Sequence, residues 1–231
     1  MDTIPEEKCT LVVPAYNEER RIQNFLSEII SYKGPVIFVC DGSDKTAEIV
    51  LAFAEKHAEL NIKALVFQRR LGKGGGILEG IKACETEYAG FTDADASTPV
   101  YEIKRLFSYL SDFDCAIGSR WLKGAEIKKK QKFSRLFQSR LFNLSVRILF
   151  GLTFQDTQCG AKVFKKKAFD TILSDITSNG FEFDVEVLSL LSKRGFSITE
   201  VPITWNDMED SHVGSKDGIG MLLNLLKIRF K

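Results

Sequence analysis

The stretch YAGFTDADASTP (residues 88–99) joins a short apolar strand to two carboxylates that lie two positions apart. In an extended backbone, residues i and i+2 point to the same side, so Asp93 and Asp95 project together while the small Ala94 turns into the fold. Mg²⁺ or Mn²⁺ held by one or two carboxylates completes its shell with water and substrate phosphates. The stretch therefore predicts a metal-bound phosphate ligand, although it also suits a turn that caps a helix starting near Pro99.

Short apolar segments alternate with helical patterns through the first half of the chain. Such alternation predicts an α/β fold with a mostly parallel central sheet, helices on both faces and a Rossmann-like nucleotide-binding half. The predicted strands are Thr10–Val13, Val36–Cys40, Ile62–Phe67, Tyr88–Thr92 and Cys115–Ile117, and the predicted helices are Glu19–Tyr32, Asp44–Glu59, Gly76–Glu85 and Val100–Ser111.

The second half of the chain is less regular. It begins with a basic segment at Lys128–Lys132, and no internal repeat or low-complexity linker separates it from the first half. We therefore expect one domain over residues 1–231, with halves of about residues 1–120 and 121–231. The predicted elements are a helix at Ser134–Phe150, a return strand at Gly160–Phe164, a helix at Phe183–Lys193, a strand at Ser197–Val201 and a C-terminal helix at Gly218–Phe230.

The composition excludes several classes of protein. A formal net charge of +1 over 231 residues gives no overall bias toward polyanions, so nucleic acid is not an expected partner. The five cysteines are scattered and form no C-x-x-C pair, which favours reduced thiols in the cytoplasm. No apolar run reaches the roughly 20 residues of a membrane span, and the acidic N-terminus is unlike a signal peptide. We expect a protein that is soluble or peripheral to a membrane.

Polar segments follow three of the predicted strands, at residues 14–18, 41–44 and 93–95. In open α/β sheets, ligands collect outside the carboxyl ends of the strands, so these segments are expected to meet in one crevice. The glycine-rich segment at residues 71–76 places Lys73 where a backbone can approach phosphate closely, or in a solvated turn. Because no G-x-G-x-x-G follows the first strand, a Rossmann oxidoreductase is not indicated.

In sequence order, these residues resemble the inverting family 2 glycosyltransferases of GT-A fold that transfer a sugar from a nucleotide sugar to a polyprenyl phosphate, such as dolichyl-phosphate mannose and glucose synthases. The resemblance spans nearly the whole chain, and its DTQCG and FEFDVE segments look more like the glucosyl branch. It departs from the family at Cys40, which stands where an aspartate is usual. The matching motifs are VPAYNE (13–18), DGS (41–43), GKG (72–74), DADASTP (93–99), GSR (118–120), DTQCG (156–160), GFEFDVE (180–186), VPI (201–203) and GSK (214–216).

The resemblance implies roles for particular residues. It implies an Mg²⁺ or Mn²⁺ ion on Asp93, Asp95 and Ser97, and catalytic roles for Asp95, Arg120 and Lys216. For Arg120 a structural salt bridge is the competing interpretation. Asp156 and Gln158 either contact the sugar or cap a turn. The implied donor-binding residues are Pro14, Tyr16, Glu18, Val39, Asp41, Lys73, Asp93 and Ala94, and the implied acceptor-phosphate residues are Arg135 and Ser139.

An anionic acceptor phosphate can attack without a general base, and neither His57 nor His212 is placed as an obvious base. A rival hypothesis uses a hydroxyl acceptor and takes its base from Glu182, Asp184 or Glu186. A further rival hypothesis is a non-catalytic module that binds sugar nucleotides, in which Cys40 marks the early decay of a former active site.

The second half is also expected to face a membrane. Its apolar and basic segment Lys128–Phe150 suits either an anionic lipid surface or an ordinary core helix with a basic face, and the helix at Ile219–Lys231 is expected to lie beside it. The predicted partners are thus a nucleotide sugar, a polyprenyl or dolichyl phosphate and a lipid surface. The predicted location is peripheral on the cytosolic face, where a separate membrane-anchoring subunit is a further candidate partner.

Overall fold

The computed structural model describes residues 4–128, 133–206, 208, 224–226 and 228–229, but not the side chains of residues 133–139 and 141. Most of the described strands form one sheet. The strands are β1 (Cys9–Ala15), β2 (Val36–Cys40), β3 (Ile62–Val66), β4 (Tyr88–Phe91), β5 (Cys115–Ser119), β6 (Glu126–Ile127), β7 (Lys162–Lys165), β8 (Ile198–Pro202) and β9 (Thr204–Trp205).

Seven strands are ordered β3-β2-β1-β4-β7-β5-β8, and β6 pairs with β9 in a small separate sheet. Within the large sheet, β7 runs antiparallel to both of its neighbours, β4 and β5. All other neighbours in that sheet are parallel. The predicted mostly parallel sheet is confirmed, and β7 joins the first half of the chain to the second.

Helices cover both faces of the sheet. On one face, α1 buries Ile22, Phe25 and Leu26, which recur at the helical spacing that places side chains on one side. On the other face, α3 buries Ile77 and Ile81. The helices are α1 (Ile22–Ile29), α2 (Thr46–Lys56), α3 (Gly72–Lys82), α4 (Val100–Ser108), α5 (Phe133–Phe150), α6 (Lys166–Ile172) and α7 (Phe183–Lys193), and 3₁₀ turns lie at Glu6–Lys8 and Tyr109–Ser111.

Helix α3 begins at Gly72, four residues before the predicted start at Gly76. Glycine is a poor helix former, so the sequence at residues 72–76 favours a loop. The structure offsets this preference because the amides of Gly74 and Gly75 donate to the carbonyl of Asn179. Lys73 consequently lies in the first helical turn and not in a loop.

Other boundaries differ by a few residues. Helices α1 and α2 are shorter than predicted, and α6, β6 and β9 were not predicted because segments of two to seven residues carry little periodicity. Of the predicted C-terminal helix, residues 224–226 and 228–229 are described and helical, and the rest lies outside the described residues. Among the described helices, none combines the length and apolar character needed to cross a membrane. All five cysteines are free and buried.

Candidate active site

The loops that follow β1 and β2 are joined by side-chain hydrogen bonds, among them those of Asn17. Asn17 has a left-handed backbone conformation with φ at 54°. Its Oδ1 accepts hydrogen bonds from the amides of Ser43 at 2.9 Å and Asp44 at 3.3 Å. A Cβ added at Gly42 would lie 2.4 Å from that oxygen, so the contact requires glycine. The two polar segments therefore meet, as the sequence predicted.

Asp41 lies at the N-terminus of α3. Its Oδ2 accepts hydrogen bonds from the amides of Leu71 at 2.7 Å and Gly72 at 3.2 Å. Amides at a helix start have no partner within the helix, and a carboxylate there also complements the helix dipole. One oxygen of Asp41 is thus engaged by the protein itself, and its role toward a nucleotide stays a prediction.

The implied donor-binding residues Pro14, Tyr16 and Val39, here called the nucleoside wall, lie beside α3. The Arg70 guanidinium lies 4.1 Å from the centre of the Tyr16 ring. Pro14 and Val39 are register partners in β1 and β2, and a Cβ on Gly76 would contact both. Val39 is fully buried, so its side chain does not line the crevice as expected, because it packs against α3. Tyr16 is the half-exposed part of this wall.

Asp93 and Asp95 follow β4, and their side chains are 38% and 23% exposed. Ala94 between them is buried, in agreement with the predicted alternation. Asp95 Oδ1 accepts a hydrogen bond from the Ser97 amide at 2.9 Å, and Asp95 Oδ2 lies 3.9 Å from a guanidinium nitrogen of Arg21. Burial and the neighbouring Asp93 charge raise the pKa of Asp95. A cation close to both carboxylates would relieve their repulsion.

Two further cations lie next to these carboxylates. Lys73 Nζ lies 3.0 Å from Asp93 Oδ1, and Arg21 is held by Glu18 through hydrogen bonds of 2.7 and 2.8 Å. Burial lowers the pKa of Lys73, but Asp184 and Asp93 outweigh this effect and raise it. Since the Lys73 side chain is only 13% exposed, it does not lie in a solvated turn.

Arg120 follows β5 and is held by Asp156. Its Nε donates to Asp156 Oδ2 at 2.7 Å, a terminal nitrogen donates to Oδ1 at 2.8 Å, and its backbone amide donates to Oδ2 at 3.0 Å. The salt bridge considered as the competing interpretation is therefore present. Asp156 is 2% exposed and both of its oxygens accept hydrogen bonds from Arg120, which disfavours the sugar contact among its two predicted roles. Gln158 is half-buried.

Helix α5 forms one wall of an open cavity of about 180 Å³. The Arg140 guanidinium lies 4.2 Å from the centre of the Trp121 ring. Trp121 directly follows Arg120 in the sequence. The side chains of Arg135 and Ser139, and all of Lys216, lie outside the described residues. The cavity is lined by Trp121, Arg140, Asn143, Leu144, Arg147 and Gln155.

The end of β4 fits a hard divalent cation. Asp93 and Asp95 supply two carboxylates, and Asp93 already holds the positive charge of Lys73. A Cβ on Gly160 would lie 1.9 Å from Asp93 Oδ2, so this glycine leaves room for the carboxylate. The described part of the chain contains no group of three His, Cys, Asp or Glu side chains placed around a metal position. Mg²⁺ commonly binds through one or two carboxylates together with substrate phosphates. Asp93 and Asp95 would hold the ion, with Ser97 beside them.

Sequence reasoning missed two charged residues near the site. Arg21 lies three positions after Glu18, a spacing that pairs side chains on a helical turn. Lys162 lies in β7 with its Nζ 2.6 Å from Asp184 Oδ1, and it is fully buried. A lysine within an otherwise apolar strand pattern was the available signal for Lys162, because buried lysines are almost always paired.

Solved structures share this architecture. A mannosyltransferase from Pyrobaculum calidifontis, solved with GDP-Man and Mn²⁺, is 18% identical with a TM-score of 0.66 over 96% of this chain and 63% of its own. Our chain thus spans less than two thirds of that protein. Glucosyl-3-phosphoglycerate synthase from Mycobacterium tuberculosis, solved with Mn²⁺, UDP and glucosyl-3-phosphoglycerate, is 14% identical with a TM-score of 0.71 over 96% and 78%. The protein therefore has the GT-A fold of glycosyltransferases, as predicted.

Sequence comparison identifies the family. The model of Glycosyl transferase family 2 matches residues 10–173. A dolichyl-phosphate beta-glucosyltransferase of Dictyostelium discoideum is 29% identical over 96% of this chain and 74% of its own length. A protein of the same description from Trichomonas vaginalis is 32% identical over 96% and 71%. The chain belongs to glycosyl transferase family 2 and is a glycosyltransferase.

Proposed function

We propose that this protein transfers a hexose, with inversion, from a nucleotide sugar to the phosphate of a dolichyl or other polyprenyl phosphate. The supporting observation is the crevice at the end of β4, where Lys73 and Arg21 lie beside the Asp93 and Asp95 carboxylates. Among UDP-glucose and GDP-mannose type donors, the names of the relatives favour glucose.

The donor diphosphate is proposed to bind among these charges. A divalent cation on Asp93 and Asp95 would supply Lewis-acid stabilisation to the departing diphosphate. Lys73 would add a positive charge close to Asp93, and Arg120 would present its guanidinium from the end of β5. Tyr16 with Arg70 provides a flat surface for the nucleoside. Preorganised charges of this kind stabilise the leaving group without reorganising during the reaction.

The acceptor phosphate is proposed as the nucleophile. One of its oxygens forms a bond to the anomeric carbon, the bond from that carbon to the diphosphate breaks, and the electron pair leaves with the nucleoside diphosphate. Because the phosphate is already anionic, no proton has to be removed. His57 is accordingly not placed as a general base, because its ring nitrogen Nδ1 lies 3.2 Å from Glu59 on the surface. His212 lies outside the described residues.

A hydroxyl acceptor would require a general base among Glu182, Asp184 and Glu186. Asp184 is ion-paired with Lys162, and both oxygens of Glu186 accept hydrogen bonds from the amide of Thr177 at 3.1 Å. Glu182 is 7% exposed, and its Oε1 accepts a hydrogen bond from the Asn224 side chain at 3.4 Å. All three carboxylates are thus engaged in the fold, which favours the phosphate acceptor. Membership of a glycosyltransferase family likewise disfavours a purely binding role.

Contact with an anionic lipid surface is part of the proposal. Helix α5 exposes Leu144 at 51% and Ile148 at 74%, and Arg140 and Arg147 are exposed on the same face. Exposed aliphatic side chains interleaved with arginines suit the interface of a bilayer with anionic headgroups. Of the basic segment that precedes α5, Lys128 is exposed and residues 129–132 lie outside the described residues.

The proposal is tested with purified protein, radiolabelled UDP-glucose or GDP-mannose, Mg²⁺ or Mn²⁺ and a short polyprenyl phosphate. We expect label in a lipid-linked product with one donor, and none when the matched polyprenol without phosphate replaces the acceptor. The product of an α-linked donor should be the β-anomer by NMR. Absence of product with every common donor, or equal transfer to polyprenol, would refute the proposal.

A further inference from the structure

A chain of four alternating charges leads from the interior of the sheet to the crevice. It begins at Lys162 in β7, whose Nζ lies 2.6 Å from Asp184 Oδ1 and donates a hydrogen bond to the carbonyl of Cys159 at 2.6 Å. The same ammonium lies 5.7 Å from the centre of the Phe91 ring. Since Lys162 is fully buried, its end of this charge chain is fixed in place.

The outer end of the chain reaches the predicted metal ligand. Asp184 Oδ2 lies 3.5 Å from Lys73 Nζ, which in turn lies 3.0 Å from Asp93 Oδ1. Asp184 is therefore placed between two ammonium groups, and Lys73 is placed between two carboxylates. Side-chain exposure rises outward along the charge chain. It is 0% for Lys162, 2% for Asp184, 13% for Lys73 and 38% for Asp93.

The two ends of this charge chain differ in how readily their ion pairs can separate. Lys162 and Asp184 are buried, and separating a buried pair leaves an uncompensated charge. Lys73 has a long flexible side chain and a second carboxylate partner, so it can leave Asp93 without becoming unpaired. A divalent cation on Asp93 would repel the Lys73 ammonium, whereas a bound diphosphate would attract it.

We propose that Lys73 is an exchangeable counter-ion, which neutralises Asp93 before the cation binds and turns to the donor diphosphate afterwards. Asp184 is a positioning residue that keeps Lys73 within reach of both Asp93 and the diphosphate, and Lys162 holds Asp184 in place. This inference rests on the proposed metal site and adds to it a competition between Lys73 and the cation. Because the Lys73 ammonium repels the cation and attracts the diphosphate, removing it should strengthen cation binding and weaken diphosphate binding.

The test compares Lys73→Met with Lys82→Met, a control on the same helix whose ammonium pairs with Glu79 at the surface. Mn²⁺ binding without nucleotide is measured by electron paramagnetic resonance, and UDP binding at saturating Mn²⁺ by calorimetry. We expect Lys73→Met to bind Mn²⁺ on the order of tenfold more tightly than the wild type, a typical coupling between linked sites. It should bind UDP about tenfold more weakly, as for loss of a charged hydrogen bond. Lys82→Met should match the wild type in both.

The outcomes separate this inference from the proposed function. If the wild type binds no Mn²⁺ even with UDP, the metal site is wrong and the exchange fails with it, whereas the proposed transfer is judged by the lipid-linked product alone. If the wild type binds Mn²⁺ but Lys73→Met binds it equally or more weakly, only the exchange is wrong. An equal effect of Lys82→Met would mean that net charge alone is responsible and would also overturn the exchange.

The role of Asp184 has its own test. In Asp184→Asn, Lys73 would rest on Asp93 alone, so Mn²⁺ without nucleotide should bind about tenfold more weakly. Because this variant leaves Lys162 buried without a counter-charge, Asp184→Asn with Lys162→Met is made in parallel to restore charge balance. The double variant should keep the weaker Mn²⁺ binding. Wild-type Mn²⁺ affinity in a folded double variant would show that Asp184 has only a structural role.

Discussion

Asp156 holds Arg120 through both carboxylate oxygens and also accepts the backbone amide of Arg120. The pair joins the end of β5 to a segment 36 residues further along the chain. Two hydrogen bonds from the guanidinium fix its orientation at the edge of the crevice, so that it does not reorganise when a donor binds. The ion pair is thus structural and, in the proposed mechanism, also positions a catalytic cation.

Asp156→Asn should lower both stability and turnover. Removing one partner of a buried ion pair costs about 3 kcal/mol or more of unfolding free energy, because the other charge stays buried without compensation. Urea unfolding at pH 7 measures this loss, and kcat measures the misplacement of Arg120. A variant with wild-type stability and kcat would contradict the role that we give to Asp156.

The same pair predicts a pH dependence. Burial raises the pKa of Asp156, but the Arg120 charge and hydrogen bonds lower it by more, so the folded-state pKa is depressed. A depressed carboxyl pKa contributes stability above the unfolded pKa of about 3.9, and this contribution is lost as the pH falls through the folded value. The stability gap between the wild type and Asp156→Asn should therefore be constant near neutrality and narrow below about pH 4. A stability difference between the two proteins that increases as the pH falls would exclude this explanation.

Asp95→Asn should abolish turnover and metal-dependent nucleotide binding while the protein still unfolds cooperatively. The amide removes one of the two carboxylates proposed to hold the cation, and Asp95 is partly exposed, so the fold does not depend on it. Asp112→Asn, at an exposed position, is the matched control. Calorimetric titration with Mn²⁺ and UDP measures the effect, and normal activity of Asp95→Asn would contradict the metal assignment.

Gly160→Ala should weaken metal-dependent nucleotide binding without changing any charge. The new Cβ would lie 1.9 Å from Asp93 Oδ2 and 2.5 Å from Asp93 Cγ, so the carboxylate must rotate away. Gly76→Ala is the control, because its Cβ comes no closer than 3.4 Å to Pro14 and should leave Mn²⁺ affinity unchanged. Unchanged Mn²⁺ affinity in Gly160→Ala would show that the position of Asp93 is not critical.

Arg135→Ala tests the acceptor site that family resemblance implies. We expect the KM for polyprenyl phosphate to rise on the order of tenfold, as for loss of a charged hydrogen bond, while the KM for the nucleotide sugar stays constant. Arg194→Ala, which removes a surface ion pair with Asp175, serves as a comparison. If both KM values rise together in Arg135→Ala, this residue belongs to the donor site or the scaffold.

Membrane contact is tested on the exposed face of α5. The double substitution Leu144→Ser with Ile148→Ser should reduce cosedimentation with anionic vesicles on the order of tenfold, because two exposed aliphatic side chains no longer enter the interface. Leu51→Ser, which changes an equally exposed leucine on α2, should have no effect. Vesicle binding that survives the double substitution would place the contact elsewhere on the protein.

The order of most strands and helices could be predicted because apolar periodicity is local, whereas the short α6, β6 and β9 were missed. The crevice could also be predicted, because parallel strands bring their carboxyl ends to one edge, so the polar residues after β1, β2 and β4 had to meet. The start of α3 could not, since it depends on the Asp41 carboxylate and the Asn179 carbonyl, both distant in sequence.

Side-chain pairing was the part that the sequence did not reveal. A return strand was predicted at residues 160–164, but its position between β4 and β5 follows from the packing of the whole sheet. That position brings Lys162 to Asp184, and the packing also brings Asp156 to Arg120. Charges that meet across 22 or 36 residues leave no periodic signal, so partners for buried ions have to be read from the structure.

Strand β7 places Val163 opposite Gly90 of β4 on one side and Ala116 of β5 on the other. The ends of β4 and β5 carry Asp93 and Arg120, so a single four-residue strand sets the gap between the acidic pair and the guanidinium. The spacing of the two strand ends is thus set by main-chain register. We therefore expect discrimination between sugars to come from the shapes of the surrounding side chains and loops, and engineering of donor choice should begin there and leave the sheet intact.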